Sequence, residues 1–167
     1  MWQYILAAIS CLLFFGFVCL GVGKFGLQDC YSAYGPLWHK EHPKFNIWTL
    51  ITFITPLIIM PALLESSEGS VWQFTAFLCL APMAFVAFTP DYQEGGMAGR
   101  LHMISAMMSA VFSILFTIFV APHLVWFLVG YALAATILTF LFGKKNWMFW
   151  FEMAAYASLY TVLFCII

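Results

Sequence analysis

Apolar residues in this chain run in long blocks, without the two-residue alternation of a half-buried strand. The blocks fall at residues 2–22, 47–64, 71–88, 102–120, 124–142 and 147–167. Each approaches or exceeds the roughly 18–20 residues that cross a hydrocarbon core about 30 Å thick. Six membrane spans are therefore predicted, forming one transmembrane domain over residues 1–167. Helices are the economical assignment, because an unpaired backbone group costs several kcal/mol in hydrocarbon and only helices or closed barrels avoid it. A barrel would show short alternating segments, which are absent here. The expected fold class is thus all-α, a polytopic transmembrane helical bundle.

The connections carry the punctuation of turns: Gly35-Pro36 and His42-Pro43 in the first, 65–70 in the second, Pro90-Asp91 and Gly95-Gly96 in the third. Within the spans, Pro56, Pro61 and Pro82 each remove a helical hydrogen bond and favour a bend. Thr52 and Thr55 are placed to cap carbonyls near Pro56.

Composition agrees: 65% of the residues are hydrophobic and only 8% are charged, too few for a water-soluble globule. The position of the charges says more than their number. Lys24, Lys40, Lys44, Arg100, Lys144 and Lys145 are every basic residue of the chain, and all lie in the first, third and fifth connections. Basic residues in short loops tend to remain cytoplasmic. The odd connections are therefore expected inside and both termini on the non-cytoplasmic side. The first apolar run lacks a positive leader and exceeds a usual signal core, so it reads as a retained helix. Trp38, Trp48, Trp147 and Trp150 suit an inner interfacial belt, and Trp72 and Trp126 an outer one. A net charge of −1 without a basic cluster larger than a pair argues against nucleic-acid binding.

Polar groups at membrane depth are costly and often mark sites. Glu152 is the clearest, and Tyr156 and Tyr160 follow on the same helical face. On the fourth span His102, Ser105, Ser109 and Ser113 also share a face. His102 and Glu152 are expected at similar depth near the inner surface, with Arg100 just outside and Asp91 at the end of the third span. Glu152, His102, Arg100, Asp91, Ser105 and Tyr156 form the candidate polar cluster. Its expected contacts include an ion pair or hydrogen-bonded trio among Glu152, His102 and Arg100. Small hydroxyl residues at this spacing also serve simply to let helices approach. The amphiphilic, aromatic stretch 26–39 reads as a segment on the inner surface, in place to cover that cluster.

The stretches Thr89-Pro90-Asp91-Tyr92-Gln93-Glu94, 100–110 and Leu27-Gln28-Asp29-Cys30-Tyr31-Ser32-Ala33-Tyr34 resemble an uncharacterised family of small six-helix membrane proteins of gut Bacteroidetes and their phages. The family pattern has a small-residue/Pro turn after the third span and a His heading the fourth, matched by Pro90 and His102. The resemblance implies a prokaryotic or phage source, hence a place in a bacterial inner membrane, and no particular activity.

The favoured reading is a non-enzymatic bundle that binds or conducts a lipid or small solute through an inner polar cavity. The expected partners are membrane lipid and a second copy or another membrane protein. The alternative is a membrane-embedded hydrolase acting on a lipid-like substrate, either metal-dependent or a serine enzyme with Ser105 one turn from His102 as its spacing argument. An interaction subunit of a membrane complex is a further one. No cofactor is implied: His102 alone is clearly helix-borne, His123 lies on the opposite face, and His39 and His42 share a loop, whereas catalytic zinc usually takes three protein ligands.

Overall fold

A computed structural model describes residues 1–90 and 92–167, with the backbone alone at residue 94. Every regular element among the described residues is helical: α1 (Trp2–Phe25), α2 (Tyr34–Glu41), α3 (Ile47–Ser66), α4 (Phe74–Leu80), α5 (Pro82–Phe88), α6 (Gly96–Val120), α7 (Val125–Phe142) and α8 (Trp147–Ile166). The all-α bundle expected from the apolar blocks is what the chain forms. Helices α1, α3, α6, α7 and α8 are long and apolar enough to cross a membrane, so the chain is an integral membrane protein.

The third apolar block differs from the single span expected at 71–88. Its helical part begins at Phe74 and is divided at Ala81 into α4 and α5. Pro82 has no N–H to continue the hydrogen-bond ladder, although Ala81 keeps helical dihedrals (φ −58°, ψ −39°). From Phe74 to Phe88 the segment reaches only roughly 22 Å at 1.5 Å per residue. In α3, by contrast, Pro56 and Pro61 are accommodated within one continuous helix. The Thr55 hydroxyl there bonds the Ile51 carbonyl at 2.9 Å, not the Thr52 carbonyl that Pro56 frees. The Thr52 hydroxyl meets the Tyr31 phenol at 2.8 Å.

The ends of the helices follow local chemistry. Gly26 stops α1 with φ +73°, a conformation that costs glycine little, and its N–H bonds the Val22 carbonyl at 2.9 Å. Lys24 in that last turn faces the negative end of the helix dipole. It pairs with Glu41 of α2 and lies over the Trp38 ring. Asn46 caps α3 by accepting from the Trp48 N–H at 3.0 Å.

Packing divides the molecule. Helix α1 lies along α3, α6 packs on α4 and α5, and α7 pairs with α8 along its length. Contact between α6 and the α7–α8 hairpin is sparse. The buried centre is aromatic: Phe14 stacks with Tyr156 at 4.0 Å and touches Tyr31, which in turn lies against Trp48. Trp48 is 0% exposed and Trp38 is also buried, so neither belongs to the interfacial belt expected of them. They fill the space between α2, α3 and the end of α1, while Trp147 and Trp126 are exposed. Outward faces carry Leu12, Leu20, Met107, Ile137 and Phe140, as a lipid-facing surface requires.

The first, third and fifth connections gather at one end. Cys30 of the first meets Tyr92 of the third at 3.2 Å, and the Asp29 carbonyl accepts from the Phe149 N–H at 2.9 Å. All six basic residues belong to connections or helix ends at this side.

Candidate functional site

The site is built where the first connection enters the bundle. After Gly26 the chain does not remain on the surface: a short turn, Tyr31–Ala33, is driven between the helices, and both Tyr31 and Ser32 are buried. Burial of so much backbone requires partners for its polar groups. The Tyr31 N–H donates to the Glu152 carboxylate at 2.5 Å. One residue on, Ser32 Oγ lies 2.9 Å from His102 Nε2.

The proton positions around His102 follow from its neighbours. Thr89 ends α5, and its hydroxyl donates to the Phe85 carbonyl at 2.6 Å. With that proton committed, Thr89 Oγ1 can only accept from His102 Nδ1, 3.0 Å away. The Thr89 carbonyl, 3.1 Å from the same nitrogen, is also an acceptor. A neutral imidazole held this way carries its proton on Nδ1 and turns a lone pair at Nε2 toward Ser32, whose hydroxyl donates. Tyr92 closes the other side, its ring stacked on the imidazole with centroids 4.2 Å apart and planes 15° apart. The fit depends on Gly99, where a Cβ would stand 2.7 Å from the Tyr92 carbonyl oxygen.

The Tyr92 phenol completes this end against Cys30 Sγ. Burial pushes both groups up from their ordinary pKa values, and the nearby Glu152 carboxylate adds to the rise at Cys30. Both therefore hold their protons at neutral pH.

Beside this network is a cavity of about 310 Å³ between α6 and α8. Ser32, Glu152 and Met148 border it near the connections, and Ile114 and Leu159 border its deeper part. Its walls are mostly apolar, with Ser109, Ser113 and Tyr156 among them. It lies where α6 makes little contact with the hairpin, and Ala106 and Ala110 on one side and Ala155 on the other are too small to fill the gap. A second cavity of about 330 Å³, bordered by α7 as well, shares Ala110, Ser113, Ile114, Phe151 and Ala155 with the first. The buried hydroxyl of Ser158 borders that second space and has no hydrogen-bond partner among the described residues. Together the two form one cleft between α6 and the α7–α8 hairpin.

The expected cluster is thus partly assembled and differently wired. Glu152 and His102 lie near one another but do not pair. The Tyr31-Ser32 turn stands between them and bonds each separately. Arg100 is exposed on the first turns of α6. Ion pairs among the described residues are Lys24–Glu41 and Lys145–Asp29, outside the cluster. Ser105 is buried, but the hydroxyl on His102 belongs to Ser32. Tyr156 lines the cavity and points its hydroxyl at the Met83 sulfur, 3.4 Å away. Asp91 lies outside the described residues. The serine stripe also divides, since Ser109 donates to the Cys79 carbonyl of α4 and Ser113 to its own helix at Ala110.

Tyr31, Ser32, Thr89 and Tyr92 are the residues that the spacing argument missed. The available signal was the composition of the first connection, whose run of aromatic and small residues is too apolar for an exposed loop. Among the described residues no three His, Cys, Asp or Glu side chains are grouped so as to hold a metal ion. No family model, curated protein or solved structure matches the chain.

Proposed function

We propose that this integral membrane protein binds a lipid-like amphiphile in the cleft between α6 and the α7–α8 hairpin. The observation that carries this reading is the cavity of about 310 Å³, walled mostly by apolar side chains and bordered by Ser32 and Glu152 at the end near the connections. From Met148 to Leu159 it follows α8 for roughly 16 Å at the helical rise, room for an extended alkyl chain. Glu152 and Ser32 then meet the polar end of the guest. The basic residues all at the Glu152 end support a head group toward the cytoplasmic leaflet.

Photo-crosslinking with a diazirine-bearing long-chain fatty acid, followed by peptide mapping, tests the reading. Adducts should concentrate on α6 and α8 peptides facing the cleft. Replacing Ala155→Trp fills space common to both cavities and should remove those adducts while sparing the outer faces. Labelling spread evenly over the exterior and indifferent to that substitution would overturn it.

A further inference from the structure

Four features of the Ser32–His102 contact go beyond a tie between a loop and a helix. The hydroxyl faces the nitrogen that the Thr89 contacts leave unprotonated. The imidazole is fixed in plane by Tyr92 stacked on its face. Ser32 borders the cleft, whereas His102 is 1% exposed and reaches it only through that hydroxyl. The cleft itself suits an alkyl chain running away from Ser32. A hydroxyl beside an oriented base is the arrangement that makes serine a nucleophile.

We propose that the chain is a membrane-embedded serine hydrolase acting on esters of long-chain fatty acids, with Ser32 as nucleophile and His102 as general base. This rests on the amphiphile-cleft reading and names its substrate class. The acyl chain lies along α8, so the ester carbonyl stands at the polar end of the cleft. Ser32 Oγ forms a bond to the carbonyl carbon as its proton passes to His102 Nε2. The bond from that carbon to the alcohol oxygen breaks, and the alcohol leaves with the proton returned from Nε2. A water molecule entering the polar end of the cleft in place of the departed alcohol then attacks the acyl-serine and gives its proton to Nε2. Ser32 Oγ departs with that proton, and the fatty acid is released. The balance is ester plus water to acid plus alcohol, without oxidant or reductant. Thr89 holds the second imidazole proton in place throughout, as a positioning group.

The test is a long-chain alkyl fluorophosphonate applied to the purified full-length protein in detergent. Serine attack there forms an Oγ–P bond and expels fluoride, so peptide mass mapping locates the nucleophile without knowledge of the natural ester. The expected result is one adduct, on Ser32, absent in Ser32→Ala. His102→Gln can still accept from Ser32 and keep the fold, but should slow labelling by about 100-fold or more, the usual worth of a general base. Ser66→Ala, at the far end of α3, should label like the wild type. A folded wild type without a Ser32 adduct, or labelling unchanged in His102→Gln, would overturn the catalytic inference. Diazirine fatty-acid crosslinking of the same samples separates the two readings. Retained cleft adducts without fluorophosphonate reaction leave amphiphile binding standing and reject catalysis, and loss of both rejects both.

Discussion

The backbone N–H of Tyr31 donates to the carboxylate of Glu152, 121 residues further along the chain. With the Phe149 N–H donating to the Asp29 carbonyl, this bond ties the first connection to the first turns of α8. Tyr31 is thereby held with its phenol on Thr52 and its ring on Trp48. Ser32 is held at His102.

Glu152→Ala removes the acceptor and leaves a buried N–H without a partner, which typically costs about 1–3 kcal/mol. Glu152→Gln keeps a carbonyl oxygen that can accept the same bond. The alanine variant should therefore melt clearly below the wild type in the same detergent, with the glutamine variant close to it. Equal melting temperatures for alanine and wild type would mean that Glu152 does not hold the turn.

Gly99→Ala tests the packing of Tyr92 over His102. The added methyl would stand 2.7 Å from the Tyr92 carbonyl oxygen, a clash with backbone that cannot be relieved by a rotamer. Overpacking of this kind costs about 1–3 kcal/mol, and its relief should lift Tyr92 away from both His102 and Cys30. The Cys30 thiol, pushed up by burial and by the Glu152 charge, is mostly protonated at neutral pH in the native protein. Its maleimide reaction should be slow there and accelerate as pH rises through the raised pKa, because the thiolate is the reactive form. In Gly99→Ala that acceleration should begin at lower pH as water reaches the thiol. The comparison is made against Gln93→Cys, an exposed position.

The charge asymmetry predicts sidedness. Glu68 and Gln93 are both exposed, in the second and third connections. In cells, a membrane-impermeant maleimide should label Glu68→Cys from outside and leave Gln93→Cys unlabelled until the membrane is opened. The reverse pattern would invert the orientation and place the Ser32 end on the outer side.

Much of the architecture is readable without coordinates. Five of the six apolar blocks became helices long enough to cross a membrane, because hydropathy summed over some twenty residues is a local property that lipid enforces directly. The break in the hydrogen-bond ladder at Pro82 is equally local, since the missing N–H acts on its own turn. The site was readable only in part. Glu152 and His102 stand out as polar groups within apolar helices, but their pairing with each other was an inference from depth, and depth does not specify partners.

What the sequence determined by itself is the membrane class, the helical character, the grouping of basic residues at one end and the two polar residues that anchor the site. What tertiary structure alone decided is the entry of residues 31–33 into the bundle, the hydroxyl that faces His102, and the cleft left where α6 parts from α8. Those features depend on which helices pack together and on how a buried turn finds acceptors for its N–H groups. The reason is physical: in a medium without water an unpaired polar group is costly, and the partners that satisfy it are whatever neighbours packing supplies. The neighbours of Tyr31 and Ser32 come from α3, α6 and α8, distant in the chain and adjacent only once the helices have assembled.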